Sequence, residues 1–554
     1  MISYRLKGTL VAETPIHLGN GEGNDTVDAA IARDHDDQGV LPGTSLAGIL
    51  GDVAARETPA GKDDSAYQYL FGKEPGQGAA AQRESNLWVF DAPVTGDEAV
   101  FVQAHTALDP TTGAVSEHRL YSEEHAVKGT AYGFYLRLDV DDEANPTQKL
   151  AMALLLRVIE HLEDGAVRVG GKSAAGRGRV KLTLESSRAF DWSRAWDEEG
   201  YEGDPLPEGW REQWRSAGGG ITQRRLLRVV FEAKLRFPTP LFIQEPLPVE
   251  PMDADAAEPP SLPDVLGQVE WTTDSGGERC RYYDGTNYRY GDQRESAYAP
   301  GSTFRGALRN RLMQQVRTLH PDEPWLAWDV SEEGKPKDGH PPKADAVPDG
   351  ALSRSKWSEH VCLVSRLFGY SALGGTIFVD DVALSGARHK GLMHNAVDRF
   401  HRSPVDGKLF SNLVVWPDDE YRATLRIELL DPSQYDVGVV TLLLKDIHRG
   451  HIRVGHGKSA GQGRLGLGRV TVTYYTCEAT AAGNTPSPAR VGSYTKCAGV
   501  IDPPDPATKP SWVSRESGWL KSLSDSAEKV RTEAKAWADA ACKKEVAADA
   551  GESV

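Results

Sequence analysis

A chain of 554 residues, 39% hydrophobic and 26% charged, has room for three or four ordinary domains and no apolar run near the roughly 20 residues that span a bilayer. Five widely spaced cysteines without a Cys-x-x-Cys pair argue against a disulfide framework or a cysteine zinc site, and residues 1–7 lack the apolar core of a leader, so a reducing cytoplasm is expected. The net charge of −17 argues against a polyanion on the average surface, though not on a locally basic track.

Ile2, Tyr4 and Leu6 alternate with polar positions, which predicts a strand over 2–12. Pro42-Gly43-Thr44-Ser45 reads as a turn opening a helix over 45–56, with Thr44 or Ser45 as its cap. Phe134, Leu136, Leu138 and Val140 predict a further strand. Over 147–163, Leu150, Leu154, Val158 and Leu162 recur at helical spacing, and a strand at 180–184 follows. Residues 186–224 are rich in Trp, Glu and Gly and read as a linker with little core.

Val229, Phe231, Ala233, Leu235 and Phe237 then alternate with polar neighbours in a second strand. A Pro/Asp/Glu-rich insertion occupies 244–282. Pro300-Gly301-Ser302-Thr303 opens a helix over 303–317, with Ser302 or Thr303 as cap, and 320–350 is a polar loop. Leu425, Ile427 and Leu429 predict a strand, 437–448 a helix through Val440, Leu443, Leu444 and Ile447, and 470–475 a strand. The tail from 501 opens Asp-Pro-Pro-Asp-Pro, turns Ala/Glu/Lys-rich, and is expected to be partly helical.

The second series repeats the first. Pro-Gly-Thr-Ser-Leu-Ala-Gly at 42–48 returns as Pro-Gly-Ser-Thr-Phe-Arg-Gly at 300–306, and Tyr-Leu-Phe-Gly at 69–72 as Arg-Leu-Phe-Gly at 366–369. Ala-Leu-Asp at 107–109 returns as Ala-Val-Asp at 396–398. Val-Arg-Val-Gly-Gly-Lys-Ser-Ala at 167–174 returns as Ile-Arg-Val-Gly-His-Gly-Lys-Ser-Ala at 452–460. Four echoes in one order mean a duplicated unit. Strand, helix, strands, helix, strand is the split βαβ pattern, so the expected fold is α+β: two tandem ferredoxin-like domains, 1–185 and 225–500, each with inserted hairpins.

The Gly-Lys-Ser tracts invite a P-loop reading that their spacing refuses. Six residues before Lys172 stands Ala166, and six before Lys458 stands Ile452, where a glycine is required. Gly461-Gln-Gly463-Arg-Leu-Gly466 fits a dinucleotide fingerprint, but a strand, not a helix, is expected after it. The charge is more telling. Arg168, Lys172, Arg177 and Arg179 stand without an acid between them, as do Arg453, Lys458, Arg464 and Arg469. Such clusters repel themselves unless they meet a polyanion, with glycines such as Gly170 letting the backbone come close. The capped turns at Ser45 and Ser302 offer further phosphate sites through helix N-termini.

Together these blocks resemble the RAMP superfamily of CRISPR-associated proteins, and within it the backbone subunit of type III effector complexes, here with two copies fused. The resemblance implies a fold related to the RNA-recognition motif, guide crRNA and neighbouring effector subunits as partners, and cleavage of complementary target RNA. Cleavage in the family resembles in-line attack of a 2′-hydroxyl on the adjacent phosphate, with Mg²⁺ or Mn²⁺ as cofactor.

By spacing to Pro42, Asp28 matches the family's catalytic aspartate, as metal ligand or proton acceptor. Asp284, sixteen residues before Pro300, is the nearest equivalent in the second copy, with Asp292 as alternative. Guide contacts implied by the matching motifs are Ser45, Gly170, Lys172, Arg177, Arg179, Ser302, Arg305, Lys458, Arg464 and Arg469; Ala47 departs from the basic residue that Arg305 keeps. Segments 104–121 and 394–410 resemble the hairpin that family members wedge into the guide–target duplex, with Leu108, Val397 and Phe400 as tip residues. Alternatives are a scaffold that binds guide without cutting, and a metal-independent guide-processing ribonuclease using His17 or His456.

Overall fold

The computed structural model describes residues 1–21, 23, 27–58, 60–73, 84–96, 99–108, 115–194, 203–217, 225–243, 281–283, 288–290, 293–294, 298–319, 363–369, 374–384, 388–416, 423–432, 434–477 and 495–501. In the first copy β1 (Ile2–Ala12) is followed by α1 (Gly43–Glu57), α2 (Ser65–Phe71) and the short β2 (Leu87–Val89). A hairpin of β3 (Val100–Leu108) and β4 (Val115–Ala126) precedes β5 (Ala131–Val140) and α3 (Pro146–Glu163). β6 (Val167–Arg168), β7 (Arg179–Asp191), β8 (Asp204–Pro205) and α4 (Trp210–Ala217) close the copy. The sheet runs β8-β7-β1-β5-β2, with β6 on β7. Numbering the four shared strands by chain order gives 4-1-3-2, all antiparallel, which is the ferredoxin-like order.

The second copy repeats it. β9 (Arg225–Arg236), α5 (Gly301–Leu319), α6 (Leu363–Phe368) and β10 (Ile377–Val379) precede a hairpin of β11 (Arg388–Val397) and β12 (Pro404–Trp416). β13 (Ala423–Leu430), α7 (Gln434–His448), β14 (Gly466–Cys477) and β15 (Thr495–Ile501) follow. The sheet order is β10-β13-β9-β14-β15, the first copy's order, with β15 beside β14 as β8 stands beside β7.

Alternation explains each sheet's buried face. Tyr132, Phe134, Leu136, Leu138 and Val140 turn inward from β5 against Leu155, Val158 and Ile159 of α3 and Leu46 and Leu50 of α1. Phe231, Leu425 and Ile427 do the same beneath Val440, Leu443 and Phe304. Each such side chain contributes about 1.5–3 kcal/mol of transfer free energy, so the two cores fix both folds. Among the described residues no helix is long and apolar enough to cross a membrane.

Two expectations need correction. α1 begins at Gly43 without a side-chain cap from Thr44 or Ser45; the Gly43 amide donates instead to Asp91 Oδ1 at 2.7 Å, and Gly301 to Asp381 Oδ1 at 2.7 Å. A distant carboxylate thus satisfies the helix's leading N–H. Nor is 186–224 without core. β7 continues to Asp191, and α4 seats Trp214, 3% exposed, edge-on against Tyr4 at 5.1 Å. Arg211 pairs with Glu163 at 2.7 Å and Arg215 with Glu160 at 2.5 Å, fastening α4 to α3. Residues 244–280, 320–350 and 502–554 lie outside the described residues.

Candidate nucleic-acid interface

Asp28 stands at the root of the first hairpin. Its exposed carboxylate accepts the Ser122 amide at 2.7 Å and the Ser122 hydroxyl at 2.9 Å, both on Oδ2. Those bonds, the backbone one first, hold its pKa below the ordinary carboxylate value and keep it ionised. Both bonds from Ser122 fall on one oxygen, and a single exposed carboxylate oxygen suits a hard cation that takes its other ligands from water and phosphate. Asp284 and Asp292 lie outside the described residues.

The first glycine tract goes elsewhere than expected. Arg177, 4% exposed, pairs with Asp381 at 3.0 Å and donates to Gln103 at 2.6 Å. Arg168 reaches Asp380 at 2.6 Å and Glu428 at 3.4 Å, and lies over the Phe378 ring at 5.1 Å. Arg179 contacts Glu13 at 3.3 Å and Asp380 at 3.7 Å. The acids missing from the tract come mostly from the second copy, with Glu13 from the first, so unopposed charge does not describe these three arginines. Burial alone would raise the Asp380 carboxyl, but Arg168, Arg426 and Arg179 outweigh it and bring it to about 2. Lys172 is the tract's exposed member, 3.5 Å from Glu123 and hydrogen-bonded to Tyr121.

The glycines serve the chain's own backbone. Gly170 has φ +85°, and a Cβ there would strike the His17 carbonyl; its counterpart Gly455, φ +78°, faces Phe242 the same way. These are close approaches within each copy, filled by protein.

In the second tract Lys458, Arg464 and Arg469 are exposed, and Arg453 donates to the Lys458 carbonyl at 2.9 Å. Arg469 lines a cleft of about 470 Å³ between the copies, with Lys128, Lys234 and Arg179 on the same walls and Glu13 and Glu232 among them. Ser302 is exposed and Ser45 half-buried at their helix starts. Arg305 turns inward: it donates to the Phe368 carbonyl, lies 5.7 Å from that ring, and burial, then Arg309, lowers its pKa to about 10.

The sequence profile of the RAMP superfamily matches residues 9–181 and 285–466, one stretch in each copy. The chain belongs to the RAMP superfamily. A search of curated proteins finds no match.

The second RAMP copy's hairpin carries an apolar tip: Phe400 is 87% exposed, with Val397, Met393 and Leu409 also outside. The Leu108 side chain lies outside the described residues. The two alternative histidines sit in different surroundings. His17 is buried, its Nδ1 2.7 Å from the Glu124 carbonyl, while His456 has a pKa lowered by burial and Lys458. Sequence reading missed His105, Glu123 and His125, which the first hairpin brings together. Their signal is parity: residues two apart on a strand share a face, as do Glu123 and His125.

Proposed function

We propose that this RAMP protein is a fused two-copy backbone subunit of a type III CRISPR ribonucleoprotein that holds guide crRNA and cuts complementary target RNA. The observation that carries the reading is Asp28, exposed, ionised and fixed by Ser122 at the root of a projecting hairpin. Lys458, Arg464 and Arg469, together with Lys172, supply exposed positive charge for the guide backbone in an otherwise acidic chain. Phe400 is the side chain that inserts between bases and displaces a nucleotide from the stack.

Asp28 fits Mg²⁺ or Mn²⁺ through its free carboxylate oxygen. The ion, when bound, neutralises charge that develops on the phosphate as the 2′-oxygen attacks it and the 5′-oxygen leaves. The chain's part is to hold Asp28 deprotonated against Ser122 and to keep the displaced nucleotide beside it. The second copy's aspartate is Asp284, with Asp292 as alternative. Neighbouring subunits are supported by surface. Tract one covers the second copy's sheet face at Phe378, whereas the corresponding face of the first copy leaves Trp88 51% and Phe90 38% exposed.

Asp28→Ala is expected to remove one cut from the fragment ladder, and Asp284→Ala another, with guide retention unchanged. A full Mg²⁺-dependent ladder from the double variant contradicts the assignment. Intact target in Mg²⁺ and EDTA alike, with guide still bound, makes the protein a scaffold instead.

A further inference from the structure

We infer that the first hairpin carries a transition-metal site of the Zn²⁺ class, with His105, Glu123 and His125 as its protein ligands. It lies beneath Asp28, uses other residues, and does not depend on the RNA-cutting reading.

Strand geometry puts the donors on one face. Phe101, Gln103 and His105 alternate along β3, opposite His125, Glu123 and Tyr121 on β4. His105 Nε2 lies 3.4 Å from Glu123 Oε2, His125 Nε2 lies 3.8 Å from the same oxygen, and the three ligand atoms fall within 4.8 Å of one another. A tetrahedral zinc ion with bonds of about 2.0–2.1 Å sets its ligand atoms roughly 3.3 Å apart, so the donor separations depart from that shape by about 0.1 Å to at most about 1.5 Å. Among the described residues this is the one group of His, Cys, Asp and Glu that meets the distance requirement.

Unmet bonding capacity points the same way. His125 is 0% exposed, and among the described residues neither of its ring nitrogens has a hydrogen-bond partner; His105 Nε2 and Glu123 Oε2 lack one there too. Buried polar atoms are almost always satisfied, and three unsatisfied atoms, one from each residue and within 4.8 Å of one another, describe a site for something they ligate. The nearby cations leave room for it. Arg177 is matched by Asp381, and Lys172 sits on Glu123 Oε1, leaving Oε2 for the ion. Two imidazoles and one carboxylate select Zn²⁺ over Mg²⁺, and the half-buried side of His105 admits the ion and a water as fourth ligand. The ion would tie the two strands together one residue from Ser122, the anchor of Asp28.

The second copy has lost the set. The isolated pairs Ile16–Ala126 and Leu241–Val415 align the hairpins, so His394, Asn412 and Val414 occupy the places of His105, Glu123 and His125. One metal ion per chain follows, not two.

The test uses the full chain, stripped by chelator and titrated with Co²⁺ as a spectroscopic probe. One Co²⁺ per chain with the intense visible bands of tetrahedral coordination, bleached by Zn²⁺ and indifferent to Mg²⁺, is the expected result. His105→Ala and Glu123→Gln should each abolish the bands, and His394→Ala should keep them. Glu123→Gln preserves side-chain size, so it remains informative if His105→Ala fails to fold. No tetrahedral Co²⁺ spectrum in the native chain, or bands that survive in a folded variant of either ligand, overturns the site. Neither result bears on target cutting at Asp28.

Discussion

The two glycine–arginine tracts are nearly the same sequence with opposite fates. In the first copy Arg168, Arg177 and Arg179 are drawn into a network with Asp380, Asp381 and Glu428 of the second. In the second copy Lys458, Arg464 and Arg469 remain exposed. The difference lies in what faces each tract. A basic cluster seeks an anion, and within one chain that anion can be the next copy's carboxylates. A cluster with no acid beside it in sequence is therefore a strong signal of pairing and a weak signal of the partner's identity.

The sharpest way to break the contrast is to remove the shared carboxylate. Asp380 lies near three arginines, two of them in tract one, so Asp380→Ala leaves buried charge unmatched and should cost about 3–5 kcal/mol in urea unfolding. An unchanged midpoint would mean that the tract does not bind the copies together.

Acid probes the same carboxylate more gently. The Asp380 pKa falls from 3.8 to about 2 on folding, and that of Glu57, beside Arg157 and His161, from 4.5 to about 2. A lowered carboxyl adds stability above its unfolded value and loses it as pH falls through its folded one. Asp380 should contribute on the order of 2 kcal/mol and Glu57 on the order of 3 kcal/mol at neutral pH, lost between about pH 4.5 and 2. Asp380→Asn should flatten its share of that decline; a stability-versus-pH curve matching the native chain's would contradict the coupling.

A smaller effect is expected at the exposed hairpin. Phe400→Ala should leave stability within about 0.5 kcal/mol of native, yet weaken hold on the guide–target duplex by about 1–3 kcal/mol, one base stack. Equal duplex affinity for the two proteins would remove Phe400 from the account.

Most of the fold was legible because periodicity reports what a core demands. The strand at Ile2–Ala12, the helix at Pro146–Glu163 and their second-copy counterparts lie where alternation and four-residue spacing put them. α4 was not legible: eight residues with two tryptophans among charges read as solvated until α3 and Tyr4 supply the surface for Trp214. Helix starts were misread for a related reason, since the group that satisfies Gly43 is Asp91, nearly fifty residues away. Motif spacing picked out Asp28, but its anchor Ser122 and the neighbouring His105, Glu123 and His125 are joined only when the hairpin folds back.

The central claim is that the exposed Lys458 and Arg464 of the second tract grip a polyanion. Affinity for a guide-length single-stranded RNA, measured by fluorescence anisotropy across a series of salt concentrations, tests it directly. Each phosphate contact adds about 0.7 to the slope of log affinity against log salt, so the Lys458→Ala/Arg464→Ala double variant should lose about 1.4 from it. A double variant that binds with the native slope and affinity would contradict the account.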